Sequence, residues 1–487
     1  MIDRREFLKR AAILGGAAAA MTALPGCRRF FKPTEAGDSI LALPASEAPI
    51  DHVVIVTMEN RSFDHWLGWL AGDQDYLSTG RSLYGAEFAV DGVQQQSFPG
   101  PGGAMVPTTY MLDQPGQTNP YQGCGHRDPN HTWNGGRLER DLGFLAPGTR
   151  NDEFALGYYL RTEVPFTARL AEEFTTFDRY HCSILGPTFP NREYLMSGHS
   201  GGHKDNFLPT EENGFDWITI WEKLEAANVP CRYYYSDVPF TALWGSRLNR
   251  FNAQLSDYFE DCAAGTLPNV CMVEPTFVFG RNDDHPHADI RLGQQFARDV
   301  FRAFCESPHW QSGLFILTYD EWGGFFDHVA PPVLPDDRAS TVDANNFGQA
   351  GFRVPTVMAS PYAMPNYVDH RTYDHTSILR FLEWRFLSAP PEGPGNDGED
   401  WWFTSRDRHA ANIGASLRRN SFAPVRGEWV AGVALAPADP PCPEGDALVG
   451  ASTFAARDGD EGTEGDQDLL HALESGYFEK VGVPVYT

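Results

Sequence analysis

Two apolar runs in this chain stop in the same way. "VVIVTM" at residues 53–58 ends on Glu59 and Asn60, and "GLFILTY" at residues 313–319 ends on Asp320 and Glu321. Continuous apolar runs of this length read as strands buried on both faces, so they belong in a sheet with helices on either side. Acids at the foot of such a strand cost free energy unless something pairs with them. In open α/β sheets the ligand lies beyond the carboxyl ends of the strands. Carboxylate and amide oxygens suit Mg²⁺, Ca²⁺ or Mn²⁺ and can serve Zn²⁺. A divalent metal ion held by Glu59, Asn60, Asp320 and Glu321 is therefore expected; the alternative is that each acid pair only caps the helix after it.

From Ile50 onward, short apolar strands alternate with amphipathic segments. "SFDHWLGWLA" reads as a helix capped by Ser62, and "NREYLMSG" as a short helix ending at Gly198. "FTARLAEEF", "GFDWITIWEKLEAANV", "ADIRLGQQFARDVFRAFCES" and "HTSILRFLEWRF" are further helices, while "PCRYYYS" and "GFRVPTVMASPY" are strands. The expected class is α/β, with a mostly parallel central sheet covered by helices on both faces and irregular insertions at residues 72–151 and from Ser388. A catalytic domain is expected over residues 49–425. An extension at 426–487 contains the acidic run "RDGDEGTEGDQD", which reads as solvated surface.

The first 27 residues read as an export signal of twin-arginine type: Arg4 and Arg5 precede Phe7, Leu8 and an Ala/Gly-rich stretch. "LPGC" offers two outcomes, a lipid anchor on Cys27 or simple cleavage nearby. Residues 28–48 read as a linker. The protein is expected to be exported: periplasmic, membrane-anchored as a lipoprotein, or secreted. Export permits disulfides, and Cys262 with Cys271 is the easiest pair to propose. A formal charge of −27 excludes a general nucleic-acid binder, and no internal apolar stretch is long enough to span a membrane.

"SILGPTFPNREYLMSGHSGG" places Thr188 on a tight turn before a helix. A helix N-terminus offers N–H groups and a positive dipole end to a phosphate. A hydroxyl there that touches a metal becomes a nucleophile; without one, Thr188 is a cap. "GHRDPNHTW" carries His126 and His131, and "NDDHPHADI" carries His285 and His287, all in loops that reach either substrate or solvent. Asp327, His328, Asp374 and His375 stand in "FFDHVAPP" and "YDHTSILRF" and read equally well as turn and cap residues.

"VTMENRSFDH", "GPTFPNR", "DHPHADI", "TYDEWGGFFDHVAPP", "GFRVPTVMASPY" and "HTSILRFLEW" together resemble the successive motifs of the bacterial phosphoesterase family. That family joins non-haemolytic phosphatidylcholine phospholipases C with acid phosphatase A enzymes, and its core is similar to that of the alkaline phosphatase superfamily. The resemblance implies that Glu59, Asn60, Asp320 and Glu321 hold the metal, with Thr188 as nucleophile and inner-shell ligand. It also implies that His131 and His285 contact the phosphoryl oxygens, one of them protonating the leaving oxygen. The implied activity is hydrolysis of phosphate esters through a phospho-threonine intermediate, on phosphatidylcholine-like phosphodiesters whose head groups aromatic side chains could receive. Two readings stand beside it: a phosphomonoesterase, and a catalytically silent surface lipoprotein. Larger phospholipases of the family carry β-rich C-terminal domains, for a pair of which this chain has no room.

Overall fold

The computed structural model describes residues 38–114, 119–209, 213–278, 282–393, 395, 400–422, 428–442 and 469–486. The expected signal, Cys27, residues 28–37 of the linker and the acidic run of the extension lie outside them. Eight strands, numbered along the chain, build the main sheet: β1 (His52–Met58), β2 (Thr175–Phe177), β3 (Cys231–Tyr235), β4 (Asn252–Gln254), β5 (Val270–Val273), β6 (Gly313–Tyr319), β7 (Thr356–Ala359) and β8 (Tyr367–Asp369). Their spatial order is β8-β2-β7-β6-β1-β5-β3-β4. Only β7 runs against its neighbours β6 and β2; the remaining pairings are parallel. This is the expected α/β architecture.

The two apolar runs are the central strands. They pair in parallel from His52 with Gly313 to Met58 with Tyr319. Every residue of β6 is buried, as a strand covered on both faces requires. Matched register means both strands end at the same level, which brings Glu59 and Asn60 beside Asp320 and Glu321. Strand β5 flanks β1 on its other side and ends at Val273, so Glu274 emerges on the same rim.

The helices used below are α1 (Phe63–Leu67), α2 (Gln74–Tyr84), α3 (Trp133–Leu142), α4 (Pro165–Glu173), α5 (Thr188–Ser197), α6 (Ile220–Ala226), α7 (Leu255–Ala264), α8 (Ile290–Glu306) and α9 (Thr376–Leu387). One group packs α8 against α4 and α7; another packs α9 against α5 and α6. Helix α8 shows why the pattern was readable. Asp289 caps it by accepting from the Arg291 N–H, and Ile290, Gly293, Ala297, Val300, Phe301 and Phe304 form one buried stripe.

Three features differ from expectation. The stretch 72–151 contains helices α2 and α3, started by the side-chain caps Asp73 and Thr132. Helix α6 is shorter than its sequence pattern, because a Thr219–Glu222 capping box fixes its start and Asn228, at φ 57°, follows its end. The disulfide joins Cys124 to Cys442, not Cys262 to Cys271. Those two cysteines lie on α7 and β5, each enclosed by the core and free.

Cys124–Cys442 ties residues 428–442 to the loop that leads into His126 and His131. Gln122 Nε2 donates to the Pro440 carbonyl at 2.9 Å, and Arg291 holds Asp439 at 2.6 Å. Replacing both cysteines by Ser should cost about 2–5 kcal/mol of stability, read as a lower urea midpoint than that of the oxidised wild type. An unchanged midpoint would show that the bridge constrains nothing.

Candidate active site

The site is built where β1 and β6 end. Asn60 adopts a left-handed conformation at φ 61°, which turns its main chain toward the neighbouring strand end. Its N–H and that of Glu321 both donate to Asp320 Oδ1, at 3.1 and 2.7 Å. The Gly pair after Glu321 makes this approach feasible. Gly323 has φ 63°, and a Cβ there would stand 2.2 Å from the Asn60 carbonyl oxygen. Helix α5 delivers Thr188, only 5% exposed, with its hydroxyl donating toward Glu59 Oε2 at 3.5 Å. The five residues expected to form the centre, Glu59, Asn60, Thr188, Asp320 and Glu321, thus converge.

Sequence reading missed Arg192 and Glu274. Arg192 lies one turn beyond Thr188 on α5 and is fully buried. Its guanidinium reaches Glu59 Oε1 at 2.7 Å, Glu274 Oε2 at 2.6 Å and Asp320 Oδ2 at 3.2 Å. The only available signals were the Thr-to-Arg spacing in "TFPNR" and an acid directly after the β5 run.

Three acids (Glu59, Glu274 and Asp320) therefore share a single guanidinium, and Glu321 stands beside Asp320 on the same rim. Burial and then the Asp320 charge push Glu59 and Glu321 well above the usual carboxylate range, and burial pushes Glu274 up. Asn60 Oδ1 and Glu321 Oε1 are buried with no hydrogen-bond partner, a costly arrangement in a protein interior. Excess negative charge and orphaned hard oxygens are the donor set that a divalent cation fits.

The two expected histidines also reach the site. His131 donates Nδ1–H to the Pro129 carbonyl at 2.8 Å, and its Nε2 is 3.4 Å from Asn60 Nδ2. Its ring centroid is 6.0 Å from that of His285. His285 donates Nδ1–H to the Pro286 carbonyl, and burial lowers its pKa to about 4. Asp128, which sequence reading did not single out, stands with them: donor atoms of Asp128, His131 and His285 all lie within 4.8 Å of one another.

Other candidates take supporting places. His126 pairs with Asp152 at 3.2 Å, and His287 donates to the His126 carbonyl at 2.9 Å. His375 donates Nε2–H to the Asp320 carbonyl at 2.6 Å and so fixes a strand-end acid. Asp374 pairs with Arg406 at 3.1 Å. Asp327 and Asp64 share Arg353 at 2.9 and 3.1 Å, and His328 bridges Asp64 to Asp91. Arg353, with Arg179 on Asp91, supplies positive charge to that cluster, which ties together the loops that carry Asp64, Asp91 and Asp327. The first turn of α5 offers fewer backbone donors than expected: Asn206 accepts the Phe189 N–H at 2.9 Å, and Pro190 has none.

The α/β sheet thus gathers acids, an amide and a buried hydroxyl at adjacent strand ends. A family model described as the Phosphoesterase family matches residues 50–387, and the chain belongs to that family. Non-hemolytic phospholipase C of Burkholderia pseudomallei is 29% identical over 455 residues, covering 79% of this chain and 61% of that protein. Non-specific phospholipase C6 of Arabidopsis thaliana is 31% identical over 371 residues, covering 68% of this chain and 67% of the relative. Phospholipase C B of Mycobacterium tuberculosis is 30% identical over 407 residues, with 70% and 74% covered. The chain thus spans less than two thirds of the Burkholderia protein. Among solved structures, a protein in the alkaline phosphatase superfamily from Vibrio parahaemolyticus aligns with a TM-score of 0.30 and 13% identity over 45% of this chain and 59% of that one.

Proposed function

We propose that this chain is a phosphoric ester hydrolase of phospholipase C type, acting on phosphatidylcholine-like phosphodiesters through a phospho-Thr188 intermediate. The observation that carries the reading is the Thr188 hydroxyl, buried and directed at Glu59 among acids that lack enough positive charge. Family membership and relatives named phospholipase C support it.

Glu59, Asn60, Thr188, Asp320 and Glu321 are the residues that would hold a divalent ion, Ca²⁺, Mg²⁺, Mn²⁺ or Zn²⁺. When bound, that ion supplies Lewis-acid stabilisation of charge on the reacting oxygens. The chain's own residues do the rest. Thr188 loses its proton along the hydrogen bond to Glu59 and attacks phosphorus in line. The bond from phosphorus to the leaving oxygen breaks, and water later hydrolyses the phospho-threonine ester. Arg192 keeps Glu59 and Asp320 oriented during both steps. His131 and His285 meet the phosphoryl oxygens, and Asn60 anchors His131. Transfer of this kind rests on positioning and charge neutralisation, which is what a rigid, buried site provides.

The domain at 49–425, export, and the lipid anchor at Cys27 belong to the same proposal; no helix among the described residues is long and apolar enough to cross a membrane. The test is metal-replete protein assayed on phosphatidylcholine, on a soluble phosphodiester and on p-nitrophenyl phosphate. The diesters are expected to turn over faster than the monoester. Monoesterase activity alone would replace the phospholipase reading with the phosphatase one, and activity on none would leave a binding protein.

A further inference from the structure

Two parts of the site come from distant chain segments: Glu321 stands on the turn after β6, and His131 on the loop before α3. A hydrogen-bonded relay joins them, and its polarity follows from its ends. The Asn130 N–H donates to Asn151 Oδ1 at 2.7 Å. A main-chain N–H only donates, so the oxygen of Asn151 faces it and the nitrogen faces the other way. That nitrogen donates to Glu139 Oε1 at 2.8 Å and to the Phe144 carbonyl at 2.9 Å. On its other side, Glu139 Oε2 accepts the Trp322 indole N–H at 2.8 Å, and an indole nitrogen also only donates. Donors arrive from both ends, so Glu139 has to accept on both oxygens. It is only 2% exposed, and burial pushes its pKa well above the usual carboxylate range, against the pull of the two N–H groups. Gln would fill the same space without burying an acid, but its nitrogen has no lone pair for either donor. Both ends of the relay touch the site. Trp322 sits between Glu321 and Gly323, whose N–H holds Glu321 Oε2 at 2.7 Å. Asn130 directly precedes His131, and its Oδ1 accepts the Thr132 N–H at 3.0 Å, so it fixes the backbone on both sides of that histidine.

We propose that Glu139 is a positioning residue for ester hydrolysis: by accepting from Trp322 and, through Asn151, from the His131 loop, it sets His131 against the Glu321 turn. This inference rests on the phosphoesterase reading, from which His131 and Glu321 take their roles. Glu139 acts through Trp322 and Asn151, not on the ester. A further tie on the same helix supports the role: a Cβ on Gly136 would stand 2.7 Å from the Trp322 ring, so α3 and the turn are fitted closely. Glu139→Gln turns an N–H toward one of the two donors. One arm of the relay is then repelled, and the two halves of the site shift against each other. Asn151→Asp does the equivalent harm by facing one acid with another. The double variant Glu139→Gln/Asn151→Asp restores the relay with reversed polarity. The new amide donates to one oxygen of the new carboxylate, whose other oxygen accepts from Asn130, and the amide oxygen takes the Trp322 N–H. The Phe144 carbonyl keeps a donor in Thr149 Oγ1 at 3.3 Å.

The test compares wild type, the two single variants and the double variant as metal-replete, full-length proteins. Turnover of a soluble phosphodiester is measured beside circular dichroism and the ¹⁵N spectra of labelled Trp and His, with Trp322→Phe and His131→Gln assigning the two side chains. Each single variant should lower kcat about 10- to 100-fold with KM little changed, the usual effect of misplacing a supporting group. The double variant should recover most of that loss, a coupling that lost packing alone does not produce. Near-normal kcat in folded Glu139→Gln overturns the proposal, as does a double variant no better than its worse single parent. If Glu139→Gln fails to fold, Asn151→Ala cuts only the His131 arm: kcat should fall while the Trp322 indole signal stays in place, and normal kcat there overturns the proposal equally. A wild type that turns over no ester removes the phosphoesterase reading instead. The spectra then decide the relay: Glu139→Gln must shift the His131 ring signals, and unmoved signals overturn it.

Discussion

Thr188→Ala lowers kcat on every phosphate ester by about 10³-fold or more while the protein stays folded. The size follows from the role: without the hydroxyl no ester to the protein can form, and neighbouring groups cannot replace a missing nucleophile. The structural cost is small by comparison. Thr188 is the first residue of α5, where its backbone conformation suits Ala equally well, and its hydroxyl makes one long hydrogen bond of 3.5 Å to Glu59. Losing it costs about 1 kcal/mol. Helix α5 keeps its other ties, because Arg192 remains on three acids and Asn206 still accepts from Phe189. Turnover and thermal unfolding measured on the same preparation separate these effects. A variant with near-normal kcat would remove Thr188 from the chemistry, whatever the melting temperature shows.

The reason Thr188 was legible, and Arg192 was not, lies in what each signal depends on. Strand ends are local facts: an apolar run that stops at two hard-oxygen residues can be read without knowing its neighbours. Only the register of β1 against β6 was needed to turn two such ends into one site, and parallel pairing of buried strands supplied it. Arg192 carries its meaning only once α5 has docked, because its partners come from the ends of β1, β5 and β6. Its sequence neighbourhood, "NREYL", reads as an ordinary solvated turn of helix. Asp128 was hidden for a similar reason: a Gly/Pro-rich loop has no period, so nothing in it indicates that its carboxylate meets His285, distant in the chain. The same absence of period concealed α2 and α3, whose caps are visible only in hindsight. Asp327 and His328 read equally well as turn residues in the sequence; Asp327 pairs with Arg353, and His328 joins Asp64 to Asp91, contacts that only the folded chain makes visible.

Arg192→Met should destabilise the chelator-treated protein by about 3–5 kcal/mol, the usual cost of removing one partner from a buried ion pair. The large value reflects what remains behind. Glu59, Glu274 and Asp320 are each almost wholly enclosed, and Glu321 adds a fourth acid within the same rim. Met fills much of the stem's volume, so lost packing contributes less than lost charge. Excess Zn²⁺ or Ca²⁺ should recover part of the deficit, because an ion that binds only the folded state stabilises it by mass action, and the variant's site has a larger unmet charge than the wild type's. Metal affinity and stability therefore become linked: the variant's unfolding midpoint rises more steeply with added cation than that of the wild type. Glu274→Gln supplies the converse. It removes one acid that has no proposed metal-binding role and leaves Arg192 on Glu59 and Asp320, so its midpoint in chelator should fall far less. Equal midpoints for Arg192→Met and wild type in chelator would mean that the four acids carry protons and need no counter-cation, and the charge argument for a metal at this rim would lose its footing.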